Sequence, residues 1–355
     1  MIIKNISLLA ASIISLFILI FFLILNSKSD ENNIKYYSKD EGILSIMYHR
    51  FNENKYPSTN IKIDMFKAHI NKIKNSNYHF YNPINLKKEF YVPRKKKTIL
   101  MTIDDAFKSF YTEAWPILKK EKIPFILFVS TEPVGGKGYM TWEQIKEIDK
   151  EKFAFIGHHS HSHEYLIDKN DQEFIKDIEA ANKNFLNHLG YIPNLFSYPF
   201  GEYSEFMKRY ISENFDFAFG QHSGVIDLNK DRFELPRYPI NENYGKIKRF
   251  NSIIRSYPLE YKNLIPSEKK LIQKNNPPKL EIEFFKEKEN LKNITCYSNE
   301  ENKWRKSEVV FLENSKIEIN LKGKFTTERG RINCSLREEN GYFRWLGMQF
   351  IVAEM

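Results

Sequence analysis

"KKTILMTIDDAF", residues 96–107, is a short apolar run that ends in two adjacent carboxylates. Thr98–Ile103 has the length and branched apolar content of a buried strand, and a basic loop precedes it. Asp104 and Asp105 fall just past its C-terminal end. The pattern recurs: "FAFIGHHSHSH" (153–163) ends in histidines, "LFSYPFGEYS" (195–204) in Tyr198-Pro199-Phe200-Gly201, and "DFAFGQHSG" (216–224) in His222. Parallel α/β folds build their sites at this edge, where the loops after the strands meet. Four strands delivering unusual residues to one edge is stronger evidence than any single motif.

Working outward, the strands predicted between residues 41 and 240 are Ile43–Tyr48, Thr98–Ile103, Phe125–Ser130, Phe153–Ile156, Leu195–Tyr198, Phe215–Phe219 and Phe233–Ile240. Amphipathic stretches alternate with them, such as "DQEFIKDIEAANKNFLNHLG" (171–190), which sets Phe174, Ile178, Phe185 and Leu189 near one face and stops at Gly190. Alternation of this kind implies parallel strands with helices outside, as a barrel or a doubly wound sheet. Residues 258–278 hold four prolines among polar residues and read as a linker. From residue 279 the period becomes two, through Leu280, Ile282 and Phe284, then Ile317, Ile319 and Leu321, then Ile332, Cys334 and Leu336. A small antiparallel β module, sandwich-like, is expected over 279–355. Cys296 and Cys334, the only cysteines, both lie in it, as a disulfide or as two buried thiols. "RWLGMQF" (344–350) suits a core, with Trp345 available as a sugar platform.

The chain has 355 residues, 42 % of them hydrophobic and 28 % charged, enough for a sizeable core. Its net charge of +9 is spread along the chain, and no nucleic-acid recognition module accompanies it. Residues 6–25, "ISLLAASIISLFILIFFLIL", carry no charge and as a helix would span roughly 30 Å, the thickness of a bilayer core. The run is longer than a signal peptide's apolar part and lacks a small-x-small cleavage site. Residues 1–29 are therefore expected to be a single membrane anchor, with the rest of the chain outside the cytoplasm.

The polar residues define a chemistry. A catalytic divalent ion takes about three protein ligands and leaves one position open. His159 and His163 are four apart, so one helical turn would put both rings on a single face. One carboxylate from Asp104 or Asp105 would complete the set, and the other could take a proton from water. An N-cap role for the acids is the plainer reading.

"TIDDAF", "HHSHSH" and "SYPFG", in this order and spacing, resemble the first three motifs of the polysaccharide deacetylase family, carbohydrate esterase family 4, over residues 41–245, with the feel of its poly-N-acetylglucosamine branch. The resemblance implies a distorted (β/α) barrel over 30–257 that removes acetyl groups from glycans with one divalent ion, Zn²⁺ foremost. It implies Asp104 as general base, Asp105, His159 and His163 as metal ligands, and the Phe200 N–H as oxyanion donor. It makes His158 and His161 bystanders. Tyr198, Pro199, Arg237 and His49 become candidates for substrate contact. Two departures stand out: Ser197 occupies a place where many members have arginine, and the late histidine motif of the catalytic acid is missing, which leaves His222 as the candidate acid. These departures give weight to an alternative, a decayed glycan-binding or scaffold protein of the cell envelope. The expected partners are an acetylated polysaccharide and, through residues 6–25, a membrane.

Overall fold

The apolar runs with polar ends are strands of one curled sheet: β1 (Ile43–Tyr48), β2 (Thr98–Ile103), β3 (Phe125–Val129), β4 (Ala154–His158), β5 (Leu195–Ser197) and β6 (Phe217–Phe219). The computed structural model describes residues 40–285, 291–313, 315–338 and 340–353. Strands β1 to β6 pair in that order, each parallel to the next. The strand predicted at 233–240 contracts to β8 (Tyr238–Pro239), parallel to β1, with a parallel bridge from Leu235 to Phe219. Segment 235–239 thus touches both β6 and β1 and curls the sheet toward closure. An antiparallel strand not expected from the sequence, β7 (Val225–Ile226), flanks the start of β1.

Period two fills both faces of this sheet, which is why the strands read as unbroken apolar runs. Leu44, Ile46, Met101, Ile103, Phe125 and Leu127 pack outward under helices Ile63–Lys74, Trp115–Glu121 and Trp142–Asp149. Ile43, Leu100, Ile126, Phe128, Phe217 and Phe219 pack inward against one another. Helix Asp171–Leu189 starts at an Asn170–Glu173 capping box and stops at Gly190 in the left-handed region. It buries Phe174, Ile178, Ala181 and Phe185, and each of the large side chains contributes about 1.5–3 kcal/mol.

Two antiparallel-rich sheets make up the C-terminal module. One runs Ser256–Pro258, Phe343–Val352, Arg329–Arg337, Thr295–Ser298, Arg305–Lys306, with Lys270–Leu271 beside the far end of Phe343–Val352; the other runs Asn263–Ile265, Leu280–Glu283, Lys316–Asn320, Glu308–Glu313. The stretch read as a linker, 258–278, is therefore woven into both sheets, because its two- and three-residue strands are too short to show a period among prolines. Cys296 and Cys334 face each other across the ladder and are disulfide-bonded.

The first of these sheets lies directly on the barrel. We label its central strands β9 (Thr295–Ser298), β10 (Arg329–Arg337) and β11 (Phe343–Val352). Ile351 joins the barrel cluster of Phe196, Tyr198 and Ala218, and Leu346 bridges Gly224. A Cβ on Gly347 would sit 2.3 Å from the Ser223 carbonyl oxygen, so only glycine permits this approach. The segment 1–29 expected to anchor the chain lies outside the described residues, among which no helix is long and apolar enough to cross a membrane.

Candidate metal centre

Five non-glycine residues at the barrel's C-terminal edge have left-handed backbone: Asp105, Ala106, Ser160, His163 and Phe200, with φ between 52° and 72°. Such conformations cost of order 1–3 kcal/mol each and persist where surroundings over-determine them. They also change the local picture drawn from spacing. Residues 159–163 form bends rather than a helical turn, and the kinks at Ser160 and His163 bring the two rings together instead. Asp177, on helix Asp171–Leu189, holds the bend by accepting from the His161 and Ser162 N–H groups at 2.8 and 3.0 Å.

The result is a tight set. One ligand atom each from Asp105, His159 and His163 falls within 4.8 Å of the others. His163 Nε2 lies 3.0 Å and His159 Nε2 3.3 Å from Asp105 Oδ1. His159 Nδ1 is 2.7 Å from the Ser197 carbonyl, which fixes Nδ1 as the donor and leaves the Nε2 lone pair facing Asp105. Asp105 Oδ1 and His159 Nε2 are buried with no hydrogen-bond partner. Such atoms are costly to orphan, and a divalent ion coordinated by the three residues would satisfy both. Burial pushes the Asp105 carboxyl up, but His163 and His159 outweigh it and hold it well below the usual range. The residues present fit a divalent metal.

Asp104 has a different environment. Fully buried, it takes Arg237 Nη1 on Oδ1 at 2.6 Å and Nη2 on Oδ2 at 2.8 Å. Arg237 also donates to Ser197 Oγ, Thr102 Oγ1 and the Gly220 carbonyl. Burial raises the Asp104 pKa, while Arg237, His159 and His49 more than offset it and keep the carboxylate ionised. The guanidinium absent at position 197 is thus supplied from 235–239, with Ser197 as its hydrogen-bond acceptor. Arg237 has no exposed surface, so its partner is Asp104 rather than anything arriving from solvent.

Phe200 occupies the second position of a 3₁₀ turn, Pro199–Gly201, where an N–H has no partner within the turn. Its ring meets His163 at 4.8 Å and stacks on Tyr165 at 4.4 Å. The C-terminal module clamps this loop. Gln349 Nε2, on β11, donates to the Phe200 and Gly201 carbonyls at 3.1 and 3.2 Å. Arg329, on β10, lies over the Phe200 ring and pairs with buried Glu202 at 2.6 Å. No motif around Arg329 or Gln349 points to this clamp.

Other residues are placed elsewhere. Tyr198 is fully buried against Phe196 and Tyr203, and Pro199 is buried beside it, so neither faces substrate. His158 is buried among Phe185, Phe196 and Phe215, and burial lowers its pKa to about 3. His161 bonds Thr131. His222 does not join the carboxylates. Its ring lines a cavity of about 20 Å³ with Tyr203, Glu234 and Lys269, and burial lowers its pKa to about 4. His49, just past the end of β1, is coupled to both Asp105 and Asp104, although burial lowers its pKa. Tyr139, in the glycine-rich loop after β3, also feels Asp105, and its ring packs on Phe107, over which Arg50 lies at 3.4 Å. Glycines around "GKGYMTW" hint at a rim loop there, but nothing local points it at Asp105.

The site is thus an Asp–His–His cluster able to hold a divalent ion, beside a buried, arginine-held carboxylate, at the C-terminal edge of an α/β barrel. Residues 91–218 match the polysaccharide deacetylase family model. The chain is 21% identical over 246 residues to a poly-beta-1,6-N-acetyl-D-glucosamine N-deacetylase of Staphylococcus aureus (strain MSSA476), covering 60% of this chain and 84% of that one. It is 26% identical over 162 residues to YxkH of Bacillus subtilis (strain 168), which carries the polysaccharide deacetylase name; the match covers 45% of this chain and 57% of the relative's length. The fold is shared with IcaB from Ammonifex degensii, at a TM-score of 0.54 and 23% identity over 60% of this chain and 97% of that chain.

Proposed function

We propose that the chain is a metal-dependent deacetylase that removes N-acetyl groups from an amino-sugar polysaccharide outside the cytoplasm. The observation that carries this reading is the pair of orphaned ligand atoms, Asp105 Oδ1 and His159 Nε2, beside an ionised Asp104. Asp105, His159 and His163 would hold a divalent ion, which when bound would supply Lewis acidity toward water and the acetamide carbonyl. The two-histidine, one-carboxylate donor set suits Zn²⁺.

Asp104 is the general base, and the Arg237 fork aims it while keeping it deprotonated between turnovers. The Phe200 N–H donates to the oxyanion as it forms, a type of contact worth about 2.7–4 kcal/mol. His49 takes the place of His222 as the candidate that protonates the leaving amine: it feels both Asp104 and Asp105, as His159 and His163 do, but is not needed to hold the metal, whereas His222 faces Glu234. Poly-β-1,6-N-acetylglucosamine is the first substrate to try, on the strength of the Staphylococcus aureus relative's name. The uncharged run of residues 6–25 supports a membrane anchor, which resistance to alkaline-carbonate extraction would test.

The deciding experiment measures metal by elemental mass spectrometry on the full chain and on His159→Ala/His163→Ala. Acetate release from poly-β-1,6-N-acetylglucosamine is followed in parallel. One equivalent of metal and acetate release, both lost in the double variant, is the expected result. Metal retained by the variant, or acetate release independent of metal, would sink the reading.

A further inference from the structure

Beside the clamp lies a groove of about 390 Å³, within the size range of small-ligand sites. One wall is the barrel-facing side of the module's first sheet. The register pairs Tyr297 with Asn333 and Ser335 with Trp345, so these side chains share one face with Arg331 and Gln349. The opposite wall comes from residues that follow the C-terminal ends of β6 and β8, the same barrel edge that carries the metal ligands. The groove reaches the catalytic loop. Gln221, on its wall, lies so close to Gly201 that a Cβ there would meet the Gln221 N at 2.4 Å.

Aromatic rings dominate the lining. Tyr244, Tyr297 and Trp304 are 44 %, 45 % and 54 % exposed, unusual for large rings with so much core available, and Trp345 is half-buried between them and the barrel. Trp345 Nε1 donates to Ser223 Oγ, which donates to Asn333 Oδ1; this fixes the Trp345 ring and leaves the Asn333 NH₂ as a donor. Flat rings flanked by amide and hydroxyl groups match the two kinds of surface on a pyranose, apolar C–H faces and hydroxyl edges. The charge is one-sided. Arg249 and Arg331 line the groove with no acidic residue, and Arg331 pairs with no carboxylate among the described residues.

We propose that this groove binds the N-acetylated stretch of an amino-sugar chain and rejects stretches already deacetylated. Each deacetylation exchanges a neutral acetamide for an ammonium, which the Arg249 and Arg331 guanidinium groups repel. The module is thus a sorting subsite that feeds unreacted polymer toward Phe200. The proposal rests on the deacetylase reading, which supplies the charge change.

The test uses the full chain and two probes, the hexamer of N-acetylglucosamine and the hexamer of glucosamine. Trp304 and Tyr297 are exposed, so Trp304→Ala/Tyr297→Ala leaves the fold intact, checked by its melting temperature. Wild type is expected to bind the acetylated hexamer at least about tenfold tighter than the amine form at low salt. The variant is expected to lose about tenfold in affinity for the acetylated hexamer, two rings' worth of stacking, and to raise KM on polymer at unchanged kcat. Equal binding of both hexamers, or a variant that binds and turns over like wild type, overturns the proposal. Acetate release with an indifferent variant removes the groove and keeps the deacetylase. Selective binding that the variant loses, without acetate release from any glycan, keeps the groove as a glycan site and removes the deacetylase.

Discussion

The barrel edge and the C-terminal module handle their buried groups in opposite ways. At the edge, five non-glycine residues are left-handed, two ligand atoms have no partner, and two adjacent carboxylates are buried. In the module, the strands alternate buried and half-exposed residues with period two, and the one covalent link joins facing cysteines. Local rules are broken where chemistry is to be done and obeyed where a wall is needed. The contrast is not a division of labour, because Gln349 and Arg329 reach from the regular sheet to hold the strained Phe200 loop.

The sharpest way to break the comparison is to neutralise the strained side. Asp104→Asn should lower kcat by about 10²–10⁴-fold, the usual weight of a positioned general base, while metal content by elemental analysis stays at the wild-type value. A loss of metal would place Asp104 among the ligands instead. Next comes Arg237→Met, which leaves a buried carboxylate without its partner and should cost about 3–5 kcal/mol in urea unfolding. The companion Asp104→Leu/Arg237→Met should recover much of that loss.

A third expectation concerns the seam between the two regions. Burial pushes Glu234 up, but Lys269, from the module, and Lys208, from the barrel, bring it down to about 2 from 4.5. A carboxylate held below its unfolded value stabilises the fold above pH 4.5, and that stability is lost as pH falls from 4.5 toward 2. At about 1.4 kcal/mol per unit the contribution is roughly 3 kcal/mol. Acid unfolding followed by tyrosine and tryptophan fluorescence should show this step, and Glu234→Gln should flatten it. The smallest effect expected is that of Gln349→Ala: roughly a tenfold loss in kcat from a loosened Phe200 loop, with KM and metal content unchanged. An unaltered kcat would mean the regular sheet leaves the strained loop alone.

Much of the barrel was legible because its information is local. Strand ends carry Asp104, Asp105, His159 and His163 in short motifs, and period and caps place the helices. What escaped depends on long-range pairing. Arg237 meets Asp104 across 133 residues, and nothing in "FELPRYPI" says which buried acid it will find. His222 looked like the acid because it ends a strand, yet the turn after β6 sends its ring toward Glu234 and Lys269. The helical turn inferred from His159 and His163 failed because spacing is blind to the left-handed kinks at Ser160 and His163. Residues 258–278 looked like a tether because strands of two or three residues show no period.

The clamp on Phe200 also sets an order of events as the chain is made. Gln349 lies 149 residues downstream of the loop it holds. A ribosome that has finished the barrel has produced Asp104, Asp105, His159 and His163, but not the amide that fixes the Phe200 and Gly201 carbonyls. The nascent barrel can therefore gather its Asp–His–His cluster before it can hold the Phe200 loop in place. The Phe200 loop is fixed only once β11 has been made, so a chain that stops short of β11 would carry the cluster with its neighbouring loop still loose.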